Sequence, residues 1–329
     1  RTPLKLALAL ALLCAGLATA LSPAGAWIGD RFERKPASPP PSFAPLPPGG
    51  PVLAISRSGA YAISGDGSIQ GLGRLSQAGW SPRGKHVVGV DGRRLVAVTP
   101  TGDVKWTLVE PRRVAHPAWS TADGFAVAYL EGHALKVVDG RGDPTTNRVL
   151  RRGAAPVTPA WRPHSDQVLT YATRRGAIET LDIQTGRALW ATRSSPVRSL
   201  AWVGDRLIAL SSRSVAVIDR NGRTRRTIGL PGVARELVPH PSGRRAAVVL
   251  RSGVIEIGLR RAFRRQLFQG NVSGIAWSRD GRHLLLGWRD AGQWLLLGPG
   301  GRVRALHGVS DELGEAGGFP RVAGWCCAG

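Results

Sequence analysis

A segment of about 40 residues recurs six times along the chain, and no other feature limits the possible folds so tightly. Its copies read AGWSPRGKHVVGV from residue 78, PAWSTADGFAVAY from 117, PAWRPHSDQVLTY from 159, LAWVGDRLIAL from 200, LVPHPSGRRAAVV from 237 and IAWSRDGRHLLLG from 275. Each copy is a small or apolar pair, a tryptophan or its substitute, a polar turn and an apolar strand. The anchors Trp80, Trp119, Trp161, Trp202, Pro239 and Trp277 stand 39, 42, 41, 37 and 38 residues apart.

Each anchor is followed by the same elements. The first unit continues RRLVAVTPTGDVKWTL, the third GAIETLDIQTGRALWAT and the fourth RSVAVIDRNGRTRRTI, each a strand, a Gly/Asp/Asn turn and a second strand. Four short strands in about 40 residues are a propeller blade, which must stack on its neighbours around an axis because it cannot bury both faces alone. The A-W-S-x-x-G-R/K pattern resembles the WD40-like repeats of TolB-type β-propellers over residues 52–329. LDIQTGRALW, residues 181–190, is similar to the blade motif of quinoprotein-type propellers in one blade only.

The blade count turns on the chain's ends. VLAISRSGAYAISGDGSIQGLGRL, residues 52–75, reads as a blade whose first strand is weak or missing, and FPRVAGWCCAG supplies a further anchor, Trp325, and then stops. An open ring would leave two unpaired edges. The expected fold is therefore an all-β propeller of seven blades, with the N- and C-terminal strands sharing the closing one; six or eight blades remain alternatives.

Two segments precede the repeats. Residues 6–21, LALALALLCAGLATAL, carry no charge and follow Lys5, and the apolar character runs on to Ile28. Residues 1–28 therefore read as a signal peptide or a single membrane anchor, with cleavage-compatible small residues at Ala18–Ala20 and Ala24–Ala26. Cys14 lacks the preceding small residue of a lipidation site. Arg31, Arg34 and Lys35 beyond the apolar run weigh against an exported body, so orientation stays open. Residues 29–51 are a proline-rich linker whose stretch 35–51 favours extended polyproline II and spans about 50 Å. The expected location is the cell envelope, extracytoplasmic, anchored or secreted.

Chemistry is sparse. The sequence holds no G-x-S-x-G, H-E-x-x-H or phosphate-cradling glycine motif, so no catalytic, cofactor-binding or metal-binding residue is assigned, and no cofactor is expected. His86 and His283 repeat at one blade position, six residues after their anchors, and Asp139, Asp182 and Asp219 precede turns whose backbone an Asp side chain caps. Trp288 and Trp294, off the anchor register, are the better candidates for a surface platform. Cys326 and Cys327 follow Trp325 and read as part of the closing strand's framework, with redox chemistry as the lesser alternative.

The net charge of +23 comes almost wholly from arginine spread along the chain, and no RNA-recognition, zinc-finger or helix-turn-helix signature points to nucleic acid. Arginine pairs recur at 112–113, 151–152, 225–226, 260–261 and 264–265. The pairs Arg112 and Arg113, Arg151 and Arg152, Arg225 and Arg226, Arg260 and Arg261, and Arg264 and Arg265 are expected on outermost strands. There they would discourage edge pairing or form a basic girdle for anionic lipid or wall polymer. The function expected is a non-enzymatic protein-interaction module; a quinoprotein-like or hydrolytic enzyme and a binder of anionic envelope polymers are the alternatives.

Overall fold

The computed structural model describes residues 45–122, 125–313 and 318–327. The segment read as signal peptide or anchor, Cys14, and the linker up to residue 44 lie outside these. Among the described residues no helix is long and apolar enough to cross a membrane.

Seven four-stranded antiparallel sheets form seven blades. Six are built from consecutive strands. Their first strands are β4 (Gln77–Trp80), β8 (Val114–Trp119), β12 (Ala160–Trp161), β16 (Val197–Val203), β20 (Ala234–Pro239) and β24 (Val272–Trp277). The seventh takes β1 (Val52–Ile55), β2 (Ala60–Ile63) and β3 (Ile69–Gly71) from the N-terminal side and β28 (Arg321–Trp325) from the C-terminal side, in the order β28-β1-β2-β3. Val52 pairs with Trp325 and Ile55 with Arg321. The first strands touch one another from blade to blade, so they are the innermost strands and line the axis.

Burial explains the sequence pattern of each unit. The middle strands are pressed between neighbouring blades on both faces, so they read as unbroken apolar runs such as AVAYLE at 126–131 and RAAVVL at 245–250. The outermost strands, among them β7 (Val104–Val109), β11 (Arg148–Arg152), β15 (Ala188–Arg193), β19 (Thr224–Gly229) and β23 (Arg264–Gln269), are largely exposed and tolerate charge. On two of them a tryptophan binds the next blade. Trp106 of β7 donates its indole N–H to the Gly140 carbonyl at 3.0 Å and covers Gly142. Trp190 of β15 covers Gly222 in the same way. A Cβ at Gly222, whose φ is +83°, would stand 2.7 Å from the Trp190 ring. These turns need glycine for the close approach as well as for the backbone angle.

The end of the proline-rich segment packs against the propeller. Leu46 is buried among Val52, Ile63 and Trp294. Its N–H reaches the Gly65 carbonyl at 2.8 Å, and Arg304 donates to the Pro45 carbonyl at 2.6 Å.

One buried charge network sits between β7 and the second and third strands of the next blade. Glu110, 4% exposed, accepts from Lys136 Nζ at 2.7 Å, from Asn147 Nδ2 at 2.7 Å and from the Tyr129 hydroxyl. Burial pushes the Glu110 carboxyl up, but these donors outweigh it and hold it below its usual range. Burial and the same carboxylate push the Tyr129 hydroxyl far up.

Candidate functional site

All seven inner strands run in one direction along the axis, so their first residues gather at one mouth of the channel and their anchors at the other. Every anchor falls at or next to the end of its inner strand. Trp161 and Trp202 brace neighbouring elements through their indole N–H groups, to the Ala118 carbonyl at 3.0 Å and to Thr170 Oγ1 at 2.9 Å. Trp119 is also buried. Trp80, Trp277 and Trp325 are only half-buried and line, with Pro239, a depression of about 800 Å³ at the anchor mouth.

The two terminal cysteines form part of that depression. The backbone leaves the strand after Trp325, so the two side chains no longer point to opposite faces, and Cys326 and Cys327 are disulfide-bonded. Cys326 is 2% exposed and donates its N–H to the Pro51 carbonyl at 2.8 Å; Trp325 donates to the Gly50 carbonyl at 2.9 Å. The sulfurs press on the turn after β4: a Cβ at Gly84 would lie 2.6 Å from Cys326 Sγ and 3.1 Å from Cys327 Sγ. Arg83, Lys85 and Arg279 also line the depression, and no Asp or Glu does among the described residues.

The opposite mouth opens on a polar cavity of about 820 Å³ inside the ring. Counted back from the anchors, the fourth residue is Arg198, Arg235 and Arg321 in three blades, and the third is Gln77, His116, Thr158, Ser199 and Glu236 in five; all of these line the cavity. Bulges aim several of them. The ladder skips Arg198 between Val197 and Ser199, and skips Arg235 between Ala234 and Glu236. A bulge re-aims the side chain of the extra residue, here toward the axis. His116 lies in a similar irregularity between Ala115 and Ala118, with φ at 56°. It links three blades: its N–H donates to Gln77 Oε1 at 2.6 Å, and its Nδ1 is 3.3 Å from Thr158 Oγ1. Burial pushes the His116 imidazole down and the Glu236 carboxyl up, with Arg321 opposing the latter.

The other candidate residues fall elsewhere. His86 and His283 close equivalent turns, their N–H groups donating to Ser81 Oγ at 3.0 Å and Ser278 Oγ at 2.9 Å. Asp139, Asp182 and Asp219 each accept two backbone N–H groups of the following turn. Trp294 is not a surface platform: it is fully buried in the core of the sixth consecutive blade and the closing one. Trp288 meets Phe268 edge to face at 5.4 Å. Of the arginine pairs, 151–152, 225–226 and 264–265 lie on outermost strands, whereas 112–113 and 260–261 occupy the loops before β8 and β23. The expectation of one strand position for all five pairs therefore does not hold, because the spacing to the next anchor varies with loop length.

Sequence reasoning missed the residues of the polar cavity. Their types differ from blade to blade, and only counting back from the tryptophans brings them into register.

No family model and no curated protein matches the chain by sequence. Solved structures are similar to it. A chain of the mitotic checkpoint complex matches with a TM-score of 0.57 at 18% identity, over 70% of this chain and 76% of its own. The β-propeller domain of Cps50 (Swd1) from Myceliophteria thermophila matches with a TM-score of 0.59 at 15% identity, over 70% and 86%. The likeness is one of fold. At such identities it supports the seven-bladed architecture and leaves function to be argued from the sites.

Proposed function

We propose that the chain is a non-enzymatic propeller serving as a protein-interaction module, with the anchor mouth as its docking surface. The observation that carries this is the depression formed by Trp80, Trp277 and Trp325 beside Arg83, Lys85 and Arg279. Half-buried tryptophan next to arginine is the chemistry of interface anchors, which contribute most of the affinity when a partner excludes water around them. The absence of carboxylates among the described lining residues suits a partner that presents an apolar side chain flanked by acidic ones.

The reading includes a location in the cell envelope, with residues 1–28 as signal peptide or anchor and the proline-rich stretch as spacer; fractionation of native cells tests it. The kinship with TolB-type propellers, drawn from the A-W-S-x-x-G repeats, belongs to the same proposal. Crosslinking and pull-down from native envelopes test the surface. A partner should be captured by the wild type and by an Arg260→Glu, Arg261→Glu loop variant, and lost from a Trp277→Ala, Arg279→Glu variant. Equal capture by all three would remove the anchor mouth from consideration.

A further inference from the structure

The polar cavity at the opposite mouth is a second site, which shares only Trp80 and Ala323 with the lining of the anchor depression. Its wall divides by chemistry. Arg198, Arg235 and Arg321, on β16, β20 and β28, form a cationic sector. Gln77, His116 and Thr158 form a neutral sector of amide, imidazole and hydroxyl groups, tied together by the hydrogen bonds described above. We propose that this cavity binds a small hydroxyl-rich anion of the class of sugar phosphates and sugar acids, its charge on the arginine sector and its hydroxyls on the neutral one.

Three features of the chain fit that occupant. The arginines stand at one register position on three strands, two of them on bulges, and all three line the same cavity: Arg198 and Arg235 are exposed at its open mouth, where Arg235 also donates to Asn271 Oδ1 at 3.4 Å, and Arg321 is half-buried. A guanidinium takes a carboxylate or phosphate through paired, charge-assisted hydrogen bonds. Gly274 gives Arg321 its place, since a Cβ there would come within 2.6 Å of the Arg321 Cγ. Glu236 lines the same cavity. A surface evolved for a bare anion gains nothing from a carboxyl among its arginines, whereas a hydroxyl-bearing ligand gives that carboxyl a hydrogen-bond partner. The volume of about 820 Å³ lies within the range of small-molecule sites.

The test is calorimetric titration of the purified full chain at about 0.15 M salt, where exposed charges are screened beyond roughly 8 Å. The probes are glucose 6-phosphate, glucuronate, glucose and inorganic phosphate. Saturable one-site binding of at least one hexose derivative is expected, with glucose and inorganic phosphate each weaker by about tenfold or more. Arg235→Gln with Arg321→Gln should weaken the derivative by a similar factor, and Thr158→Val should narrow its advantage over inorganic phosphate. Unchanged thermal unfolding identifies variants that keep the ring. The Trp277→Ala, Arg279→Glu variant should bind the derivative normally, which separates this site from the docking surface. The proposal is overturned if neither hexose derivative binds, if inorganic phosphate binds as tightly, or if the folded double arginine variant binds unchanged.

Discussion

Val52 and Trp325, 273 positions apart in the chain, are directly paired across an antiparallel ladder. That pairing joins the ends of the described ring, and the Cys326 N–H bond to Pro51 extends it by one residue. Deleting residues 319–329 would remove an inner strand and expose the edge of β1, whose four residues are all buried. The truncated chain should lose its cooperative thermal transition. Cys326→Ser with Cys327→Ser keeps the strand and its ladder, so its melting curve should stay close to that of the wild type.

Gly84 and Gly92 separate crowding from backbone strain. Both have positive φ, +67° and +61°, but a Cβ at Gly84 meets both cysteine sulfurs while one at Gly92 meets nothing within 4 Å. Gly92→Ala should cost about 1 kcal/mol, the usual strain of a left-handed L-residue. Gly84→Ala should cost about twice that or more, because the clasp must also shift. Urea unfolding of the two variants gives the comparison.

Glu110→Leu would leave Lys136 buried with Glu131, at 3.4 Å, as its remaining carboxylate. Breaking such a pair from one side typically costs about 3 kcal/mol or more. The double variant Glu110→Leu, Lys136→Met removes both charges and should recover much of the loss. Because the folded Glu110 carboxyl is held below its usual range, its contribution is present above the ordinary Glu pKa and disappears as pH falls through the depressed one. The wild-type advantage over Glu110→Leu should therefore shrink in acid.

Glu236 runs the other way. Its carboxyl is pushed up by burial, so the folded chain holds this proton at pH values where the unfolded chain has released it. Stability then falls as pH rises from the ordinary Glu pKa through the raised one. Glu236→Gln should melt higher than the wild type at neutral pH and lose that margin below the ordinary carboxylate range. A margin that grows in acid would contradict the assignment.

The repeat spacing made the blades legible because each anchor performs one packing task at one place, and selection for that task kept the residue type recognisable. Ring closure was legible for a related reason: Trp325 lacked strands after it and Val52 lacked one before it. The channel was not. Gln77, His116, Thr158, Ser199 and Glu236 occupy equivalent positions without sharing a residue type, since an axial cavity asks each blade for a different contact. Bulges at Arg198 and Arg235 leave no mark in an apolar pattern of period two. Trp294 stands off the anchor register, and its burial by its own blade is completed by the neighbouring blade and Leu46, which are far from it in sequence.

Arg321 belongs to β28, the last strand in chain order among the described residues. Without that strand the axis has six walls, the cavity lacks one of its three register-matched arginines, and the depression at the other end lacks Trp325 and both cysteines. Neither mouth is complete on an open ring. Occupancy of either one therefore reports that the ring has closed, and a form without β28 cannot compete for the same ligands.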